Sequence, residues 1–400
     1  LIMEKSRPLE GIRVLEMGQL IAGPFAGCML GYFGAEVIKL EPLSGDPLRR
    51  WRELDEDGNS FWWSSMARNK KSITVNLKSE EGKEIVRKLA SKVDVIIENF
   101  RPGTMEKWNI GPEDLKKNNP NLIYTRVSGY GQTGPYKDKP GFASVCEGIG
   151  GFRYLNGFPD QPPVRPNLSL GDTLAAMNAV IGILLALFQT TKKGGKGQVV
   201  DVAIYEAVYN VMESLVPEFD GNGSVRERSG STLTGIVPTN TYLCSDNAYV
   251  IIGGNGDSIF KRLMNAMDRK DMAEDSRYSE NAGRVEHEKN IDNAISQWTS
   301  NLASAEVIRI LEDAEVPCGP IYSVKDMLSD PHFNSRNLFE TVSTKNKKLK
   351  IPAITPFLED TPGRTDWAGP ELGFHNNEIL TKILNFDSKK ISDYKERGII

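Results

Sequence analysis

The sequence predicts an α/β protein with a large domain built on a doubly wound parallel sheet and a smaller α+β domain. The chain has 400 residues, 39% of them hydrophobic and 26% charged, which is enough for two globular domains. Short apolar runs alternate with helical patterns in its first half, as in proteins whose parallel strands are joined by helices. The composition changes at 221–234 to Gly, Ser, Thr and Arg, which is typical of a linker or a mobile loop.

The elements of the large domain follow one another at short intervals. Apolar runs predict its strands, and Ser72–Leu77 also alternates as a half-buried strand does. The helix at Gly23–Phe33 ends at Gly34, and the helix at Ser79–Lys92 has acidic residues first and basic residues last, as the helix dipole favours. We predict strands at 11–16, 35–40, 72–77, 93–98, 122–127 and 199–203, and helices at 23–33, 79–92, 174–188 and 204–215.

The second domain begins with a hairpin, because Tyr242–Cys244 and Tyr249–Ile252 flank the turn residues Ser245–Ala248. Helices are predicted after it at 258–267, 288–300 and 304–314, and beyond 333 we predict a strand at 349–351 and helices near 377–384 and 392–397. The predicted domains are therefore 1–220 and 239–332, joined by a linker at 221–238.

Charge and composition narrow the classes of partner. With a formal net charge of −4, the chain lacks the global positive field that non-specific nucleic-acid binding needs. The most apolar stretch, Leu174–Phe188, falls short of the ~20 residues that cross a bilayer, so we expect a buried helix and no membrane partner. The four cysteines form no CxxC pair, which indicates reduced thiols. Leu1–Pro8 lacks the apolar core of a secretory signal, so we expect a cytoplasmic protein, or a mitochondrial-matrix protein if a transit peptide has been removed.

A single carboxylate, Asp172, directly precedes the long apolar helix. One interpretation is an N-cap, since Asp is among the best residues for satisfying the free N–H groups of a first turn. The other is a nucleophile, because the positive end of a helix keeps a carboxylate ionised and acyl transfer through an enzyme anhydride needs such a group. The residues around Asp172 do not decide between the two.

The run Gly129–Gly134 matches the dinucleotide-binding string GxGxxG and follows a predicted strand. The helix that would hold a pyrophosphate is missing, because Pro135 and the polar run Tyr136–Gly141 cannot open one. A nicotinamide site is therefore not expected. The alternative that this glycine-rich loop approaches a different ligand is left open.

Several basic residues fall where loops leave predicted strands. Ligands of open α/β sheets bind outside the carboxyl ends of the strands, so these side chains could converge on one phosphorylated ligand, although each taken singly is more often a solvated charge. They are Lys39, Arg68, Lys70, Lys71, Arg101, Lys137 and Lys139.

Two further features bear on the chemistry. The run Gly253–Asp257 is either a tight turn with an Asp cap or a flexible flap over a site. The three histidines lie in the last third of the chain, far in sequence from Asp172, and this argues against serine-hydrolase and metal-hydrolase schemes. Carboxylate chemistry is what remains.

Taken in order, the motifs of this chain resemble those of the class III CoA-transferases, the formyl-CoA and carnitine CoA-transferase family. The resemblance runs from about residue 8 to the C-terminus and includes Val316–Tyr322 and Asp330–Phe333. The other motifs that carry it are Pro8–Leu15, Ala22–Ala26, Gly34–Pro42, Asn69–Ile73, Glu98–Gly103, Gly129–Pro135 and Gly171–Asp172.

The resemblance implies an acyl-CoA site with Asp172 as the catalytic nucleophile and no metal. It implies a mobile glycine loop at Gly253, Gly254, Asn255 and Gly256, which closes over the aspartate. It also implies an interlocked homodimer, with the large domain completed by 333–400. The expected CoA contacts are Leu20, Ile21, Ala22, Asn99, Phe100 and Arg101, with Lys39, Lys70, Lys71, Lys137 and Lys139 as the basic residues that would meet the phosphates.

The chain departs from the family pattern at two places. Phe142–Ala143 stands where many members have Tyr-Asp, and Gln19 stands where many have Arg. Both departures bear on which acid binds. Coenzyme A as acyl-CoA and a free carboxylic acid are the expected substrates, with succinyl-CoA or another short dicarboxylic acyl-CoA as the donor.

Two other functions share the fold or the pocket. An α-methylacyl-CoA racemase or epimerase needs a paired acid and base, and the racemases place a histidine upstream of the aspartate. The segment Ser128–Gly171 contains no histidine, which favours the transferase. A non-catalytic acyl-CoA-binding protein would keep CoA binding after Asp172→Ala and turn over no acid.

Overall fold

The computed structural model describes residues 6–400 and contains a six-stranded parallel sheet. Every neighbouring pair in it is parallel, and the order β3-β2-β1-β4-β5-β6 is that of a doubly wound sheet. The predicted fold class is confirmed. The strands are β1 (Arg13–Glu16), β2 (Glu36–Glu41), β3 (Lys70–Thr74), β4 (Val95–Glu98), β5 (Ile123–Ser128) and β6 (Val199–Ala203).

Helices follow these strands in the first half of the chain. They are α1 (Ala22–Tyr32), α2 (Phe61–Met66), α3 (Glu80–Ala90), α4 (Thr104–Lys107), α5 (Pro112–Leu115), α6 (Ala143–Ile149), α7 (Phe152–Leu155), α8 (Leu170–Lys193) and α9 (Ile204–Tyr209), with a 3-10 helix at Pro47–Arg50. The helix predicted at 204–215 is interrupted after Tyr209, and Glu213 adopts a left-handed φ of 52° before the next helix starts.

The chain divides into two compact units. The first contains the parallel sheet and consists of residues up to Phe152, Pro166–Glu213 and His332–Ile400, and the second consists of Arg153–Arg165 and Ser214–Pro331. The sequence did not assign 153–165 to the smaller unit, because a short polar segment carries no pattern that shows where it packs.

The second unit has a three-stranded antiparallel sheet in the order β7-β8-β9, with helices beside it. The predicted hairpin forms its first two strands, and the third was not predicted because it is only three residues long. The elements are α10 (Leu215–Asn222), β7 (Thr239–Leu243), β8 (Tyr249–Gly253), α11 (Asp257–Ala266), α12 (Lys270–Ala273), α13 (Asn281–Glu286), α14 (Glu288–Thr299), α15 (Ser304–Asp313), β9 (Cys318–Pro320) and α16 (Val324–Ser329), with a 3-10 helix at Ser276–Tyr278.

The C-terminal part of the chain returns to the first unit. It contains α17 (Pro331–Ser335), an antiparallel hairpin of β10 (Phe339–Ser343) and β11 (Lys348–Pro352), α18 (Asn376–Lys382) and α19 (Ser388–Glu396).

The large sheet is covered on both faces, as alternation along its strands requires. Val14 of β1 belongs to a core shared with α1 and α8, and its neighbour Leu15 belongs to the opposite core. That second core contains α3 residues together with Ile379 of α18 and Tyr394 of α19. The end of the chain therefore forms part of one layer of the first unit, beside α3.

The C-terminal segment also covers β3, an edge strand of the large sheet. His375 donates its backbone N–H to the carbonyl of Ser72 at 2.9 Å and accepts the Ser72 N–H at its ring Nδ1 at 3.1 Å. Asn376 accepts the N–H of Thr74 at 2.8 Å. These contacts pair an edge that would otherwise offer free N–H and C=O groups to other chains.

Helix α8 is longer than predicted. Asn178 does not interrupt it, because the side-chain amide donates to the carbonyl of Leu174 at 2.9 Å, and the helix ends at Gly194 with a φ of 62°. By length and composition α8 could cross a membrane. In this structure one side of α8, with Ala179 and Ile183, is buried in the core with α1, whereas Leu185 on another side is exposed. The expectation of a buried helix shorter than a membrane span therefore holds only for one side of α8 and not for its length.

Candidate active site

A cleft of about 220 Å³ lies at the carboxyl ends of β1, β4 and β5. Strands β1 and β4 are neighbours at which the sheet order reverses, the place where doubly wound sheets bind ligands. All of its lining residues belong to the first unit. They are Gln19, Leu20, Ile21, Ala22, Asn99, Phe100, Arg101, Pro102, Val127, Ser128, Gly129, Lys137, Lys139, Pro140, Gly141, Phe142, Asp172 and Ile204.

Asp172 lies in the wall of this cleft, in the first turn of α8. The N-cap position belongs to Ser169, so the N-cap interpretation of Asp172 was wrong: the helix begins two residues earlier than the aspartate. Glu147, which is fully buried, accepts the N–H of Gly171 at 3.1 Å and so fixes the turn that carries Asp172. The half-buried carboxylate thus stands in the positive field of the helix start.

The thiol of Cys146 is near Asp172 but is poorly suited to act as the nucleophile. Burial, and next the negative charge of Asp172, raise the pKa of Cys146 to about 11. Its Sγ also lies 3.4 Å from the carbonyl oxygen of Gly129. Since the thiolate is the reactive form, Cys146 is protonated and unreactive at neutral pH.

The loop after β1 and the start of the loop after β4 are joined by Asn99. Its Oδ1 accepts the N–H of Gln19 and its Nδ2 donates to the carbonyl of Gln19, both at 2.8 Å. The side-chain amide of Asn99 is therefore used within the wall of the cleft, next to Phe100 and Arg101.

Positive charge in the cleft comes from Arg101, Lys137 and Lys139, which are exposed. The ammonium of Lys139 lies 3.5 Å from the ring centroid of Tyr136, a cation–π contact that leaves the charge at the surface. The loop that carries Lys137 and Lys139 contains no helix between Gly129 and Phe142. The sequence predicts no dinucleotide site because this segment cannot open a helix, and the structure agrees.

The structure does not bring Lys39, Lys70 and Lys71 to the cleft. Lys39 and Lys70 are 1% exposed, and both ammonium groups are paired with the fully buried Glu16 of β1. Lys71 pairs with Glu36 at 2.8 Å and with Glu378 at 2.9 Å. Buried charges need partners, and the glutamate that ends the apolar strand β1 is the feature of the sequence that agrees with this pairing, although β2 and β4 also end in glutamate.

The glycine loop lies in the second unit and is held by hydrogen bonds. Gly253 donates its N–H to Pro317 at 2.9 Å, Gly254 donates to Pro238 at 3.0 Å, and the carbonyl of Asn255 accepts from the fully buried Arg284 at 2.7 Å. Its closure over Asp172 stays a prediction.

Sequence reasoning missed several residues of the cleft. Val127 and Ser128 end β5, and Ile204 begins α9. Their position at the end of a strand and the start of a helix is a general signal of a ligand site in doubly wound sheets. Phe142, which is 73% exposed, lines the cleft at one of the two departures from the family pattern, and Gln19 lines it at the other.

Known proteins resemble this chain in both sequence and fold. The family model described as CoA-transferase family III matches residues 9–376. The succinyl-CoA–D-citramalate CoA-transferase of Chloroflexus aurantiacus is 46% identical over 396 residues, 98% of each chain. The succinate–glutarate CoA-transferase of Agrobacterium fabrum is 33% identical over 94% of this chain and 96% of its own. A solved CAIB/BAIF family protein from Brucella suis superposes with a TM-score of 0.84 at 30% identity, covering 95% of this chain and 100% of that chain.

Proposed function

Because this chain belongs to CoA-transferase family III, we propose that it moves CoA from a short dicarboxylic acyl-CoA to a free carboxylic acid through covalent intermediates on Asp172. The chain is a CoA-transferase, with acyl-CoA and a carboxylate as substrates. Succinyl-CoA is the proposed donor, since two similar relatives are named for succinyl-CoA or succinate.

The observation that carries the covalent proposal is the position of Asp172. Asp172 lines the cleft at the start of a 24-residue helix, and Lys137 and Lys139 line the same cleft. Helix-start placement favours the ionised, nucleophilic form of a carboxylate, and Arg101, Lys137 and Lys139 can meet the phosphates of CoA.

The proposed reaction balances through two covalent intermediates. An oxygen of Asp172 attacks the thioester carbonyl, the C–S bond breaks, and CoA leaves as the thiolate with a mixed anhydride on the enzyme. The thiolate attacks the aspartyl carbonyl, expels the donor acid and forms an aspartyl-CoA thioester. The acceptor acid takes the CoA by the same steps in reverse, and the Asp172 carboxylate is regenerated.

The glycine loop at Gly253–Gly256 is the proposed source of backbone donors for the oxyanions of these steps. Each such donor is typically worth about 3 kcal/mol in the barrier. Loop closure would also keep water from the anhydride and so suppress hydrolysis.

Chemical trapping tests the covalent step. Enzyme incubated with succinyl-CoA is treated with hydroxylamine, which converts an activated aspartyl group to a hydroxamate, or with borohydride, which reduces its thioester. Peptide mass spectrometry should find the modification on Asp172 in the wild type and none in Asp172→Asn. Label on another residue, or none during measured turnover, would show that the covalent proposal is wrong.

A panel of donors and acceptors identifies the acids. Acyl-CoA donors are mixed with mono-, di- and hydroxy-dicarboxylate acceptors, and products are separated by chromatography. The racemase alternative predicts deuterium uptake from heavy water at the α-carbon of a 2-methylacyl-CoA. We expect none, since no histidine is among the described residues that line the cleft.

We also propose that the active protein is a homodimer. Exposed apolar residues of α8, among them Ile181, Leu185 and Phe188, support an interface there.

A further inference from the structure

We infer that Asp46 and Lys39 are positioning residues of the acyl-CoA cleft, because they hold the loop Gly18–Leu20 in the conformation that forms its wall. The inference rests on the proposed function of that cleft. Neither residue lines the cleft, so both act through the loop.

Leu20 has a backbone conformation that a leucine rarely adopts. Its φ is 65°, in the left-handed region where Cβ is crowded by the following carbonyl. Its N–H donates to both carboxylate oxygens of Asp46, at 3.1 and 3.2 Å. A charged acceptor is a strong partner for a backbone donor, so Asp46 holds the loop in this unfavourable geometry.

The two residues before Leu20 are also anchored. Gly18 offers its carbonyl to the ammonium of Lys39, and Gln19 is bonded on both its N–H and its carbonyl by Asn99. Three successive residues are thus each held by a different side chain. Gln19 and Leu20 in turn line the cleft.

The holding groups are themselves fixed as a buried ion pair. The Lys39 ammonium lies 2.8 Å from Asp46 and 2.7 Å from Glu16, and the side chains of Lys39 and Asp46 are at most 1% exposed. Burial opposes both charges, yet the nearby carboxylates raise the pKa of Lys39 and the Lys39 ammonium lowers the pKa of Asp46. Removing Asp46 leaves the buried Lys39 ammonium with Glu16 as its ion-pair partner, and Glu16 is shared with Lys70.

This arrangement predicts that a change at Asp46 weakens the binding of acyl-CoA but has little effect on the rate of the chemical step. The loop Gly18–Leu20 supplies Gln19 and Leu20 to the cleft in which we propose that acyl-CoA binds, whereas Asp172 is held separately by α8. In Asp46→Ala we expect KM for acyl-CoA and Kd for CoA to rise about tenfold, with kcat within about threefold of the wild type, as when binding common to ground and transition states is removed. Asp46→Asn keeps an oxygen for the Leu20 N–H and should recover part of the affinity.

The matched control is Arg13→Met. It breaks an ion pair between β1 and β2 at their amino ends, where the Arg13 Nε lies 2.6 Å from Glu36. We expect it to leave KM and Kd unchanged. Hydrogen exchange measured on the peptide that contains Leu20 should be faster in Asp46→Ala than in the wild type or the control.

Calorimetry with CoA separates the outcomes. If the wild type does not bind CoA, the proposed function of the cleft fails. If the wild type binds CoA, and folded Asp46→Ala and Asp46→Asn both bind CoA as tightly as the wild type, the positioning role is overturned. It is also overturned if Arg13→Met weakens binding as much as Asp46→Ala does. Should Asp46→Ala not fold, Asp46→Asn carries the test through its Kd and exchange rate.

Discussion

At the scale of single residues, the role of a side chain in this protein depends on the groups that surround it. Asp172 is placed by the first turn of α8, which Glu147 holds through Gly171. Lys39 and Lys70 have the residue type expected of phosphate ligands, but Glu16 pairs with both of them inside the sheet. Residue type proposes a role, and the neighbouring charges decide it.

The first prediction concerns Asp172→Asn. The amide keeps the size of the carboxylate but cannot attack a thioester, so we expect kcat to fall by about 10³-fold or more. Steady-state transfer between succinyl-CoA and the best acceptor measures this, and the control is Asp268→Asn, an exposed aspartate with a φ of 58° that asparagine tolerates. Near-normal activity in a folded Asp172→Asn would remove the nucleophile assignment.

At the scale of elements, close approaches between backbone segments set the packing of the first unit. Helix α8 crosses β6 at Gly182, where an added Cβ would lie 2.5 Å from Cγ1 of Val200. The C-terminal segment meets β3 through His375 and Asn376. Both contacts join parts of the chain that a local pattern treats as independent.

Gly182→Ala tests the crossing of α8 and β6. The new methyl group overlaps a stiff valine, and overpacking costs about 1–3 kcal/mol of unfolding free energy in spite of the better helix propensity of alanine. Gly221→Ala in α10 is the control, since nothing lies within 4 Å of its Cβ position. Denaturant titration should show a lower midpoint only for Gly182→Ala, and equal midpoints would contradict the close packing.

The contact of His375 with β3 predicts a pH dependence. Burial lowers the pKa of His375 below its ordinary 6.5. The negative charge of Glu378 opposes this shift by raising the pKa, and the positive charge of Lys71 adds to it by lowering the pKa. Below pH 6.5 the unfolded chain takes up the proton more readily than the folded one, so stability falls as the pH drops through the lowered pKa.

His375→Asn should flatten that dependence, because asparagine can accept the Ser72 N–H without titrating. Unfolding free energies of both proteins, measured in steps from pH 7 to about pH 5, provide the comparison in the window that histidine titrates. A wild type whose stability is constant over this window, or a variant with the same slope, would contradict the prediction.

At the scale of the whole molecule, the exposed face of α8 is the strongest argument for the proposed dimer. Ile181, Leu185 and Phe188 are 56%, 67% and 56% exposed and lie at i, i+4 and i+7, on one side of the helix. A stripe of this kind in water favours burial against another surface.

We expect Leu185→Lys to weaken the proposed dimer. A charge in an apolar interface costs desolvation, so light scattering after gel filtration should show more monomer as the protein is diluted. Lys193→Glu is the control, because this exposed residue near the end of the same helix lies about 120° around the helix from Ile181 and outside the stripe. A wild type that is monomeric at all concentrations would overturn the proposal.

Much of the first unit could be predicted from the sequence. Its six parallel strands were predicted to within a few residues, because apolar runs and helix caps are local signals. The cleft residues Leu20, Ile21, Ala22, Asn99, Phe100 and Arg101 were named from the family resemblance, and the structure brings them together with Asp172. Their roles in binding stay proposals.

The rest depends on contacts between distant parts of the chain. No local pattern shows that His375 would pair with Ser72, or that α18 and α19 would cover the sheet. The sequence by itself determined the order of the six strands of the large sheet and the candidate nucleophile, because these follow from apolar runs and ordered motifs. Only the tertiary structure decided which lysines lie at the cleft and which are buried beside Glu16. The reason is that buried charges pair according to which side chains neighbouring strands bring within a few ångströms of each other.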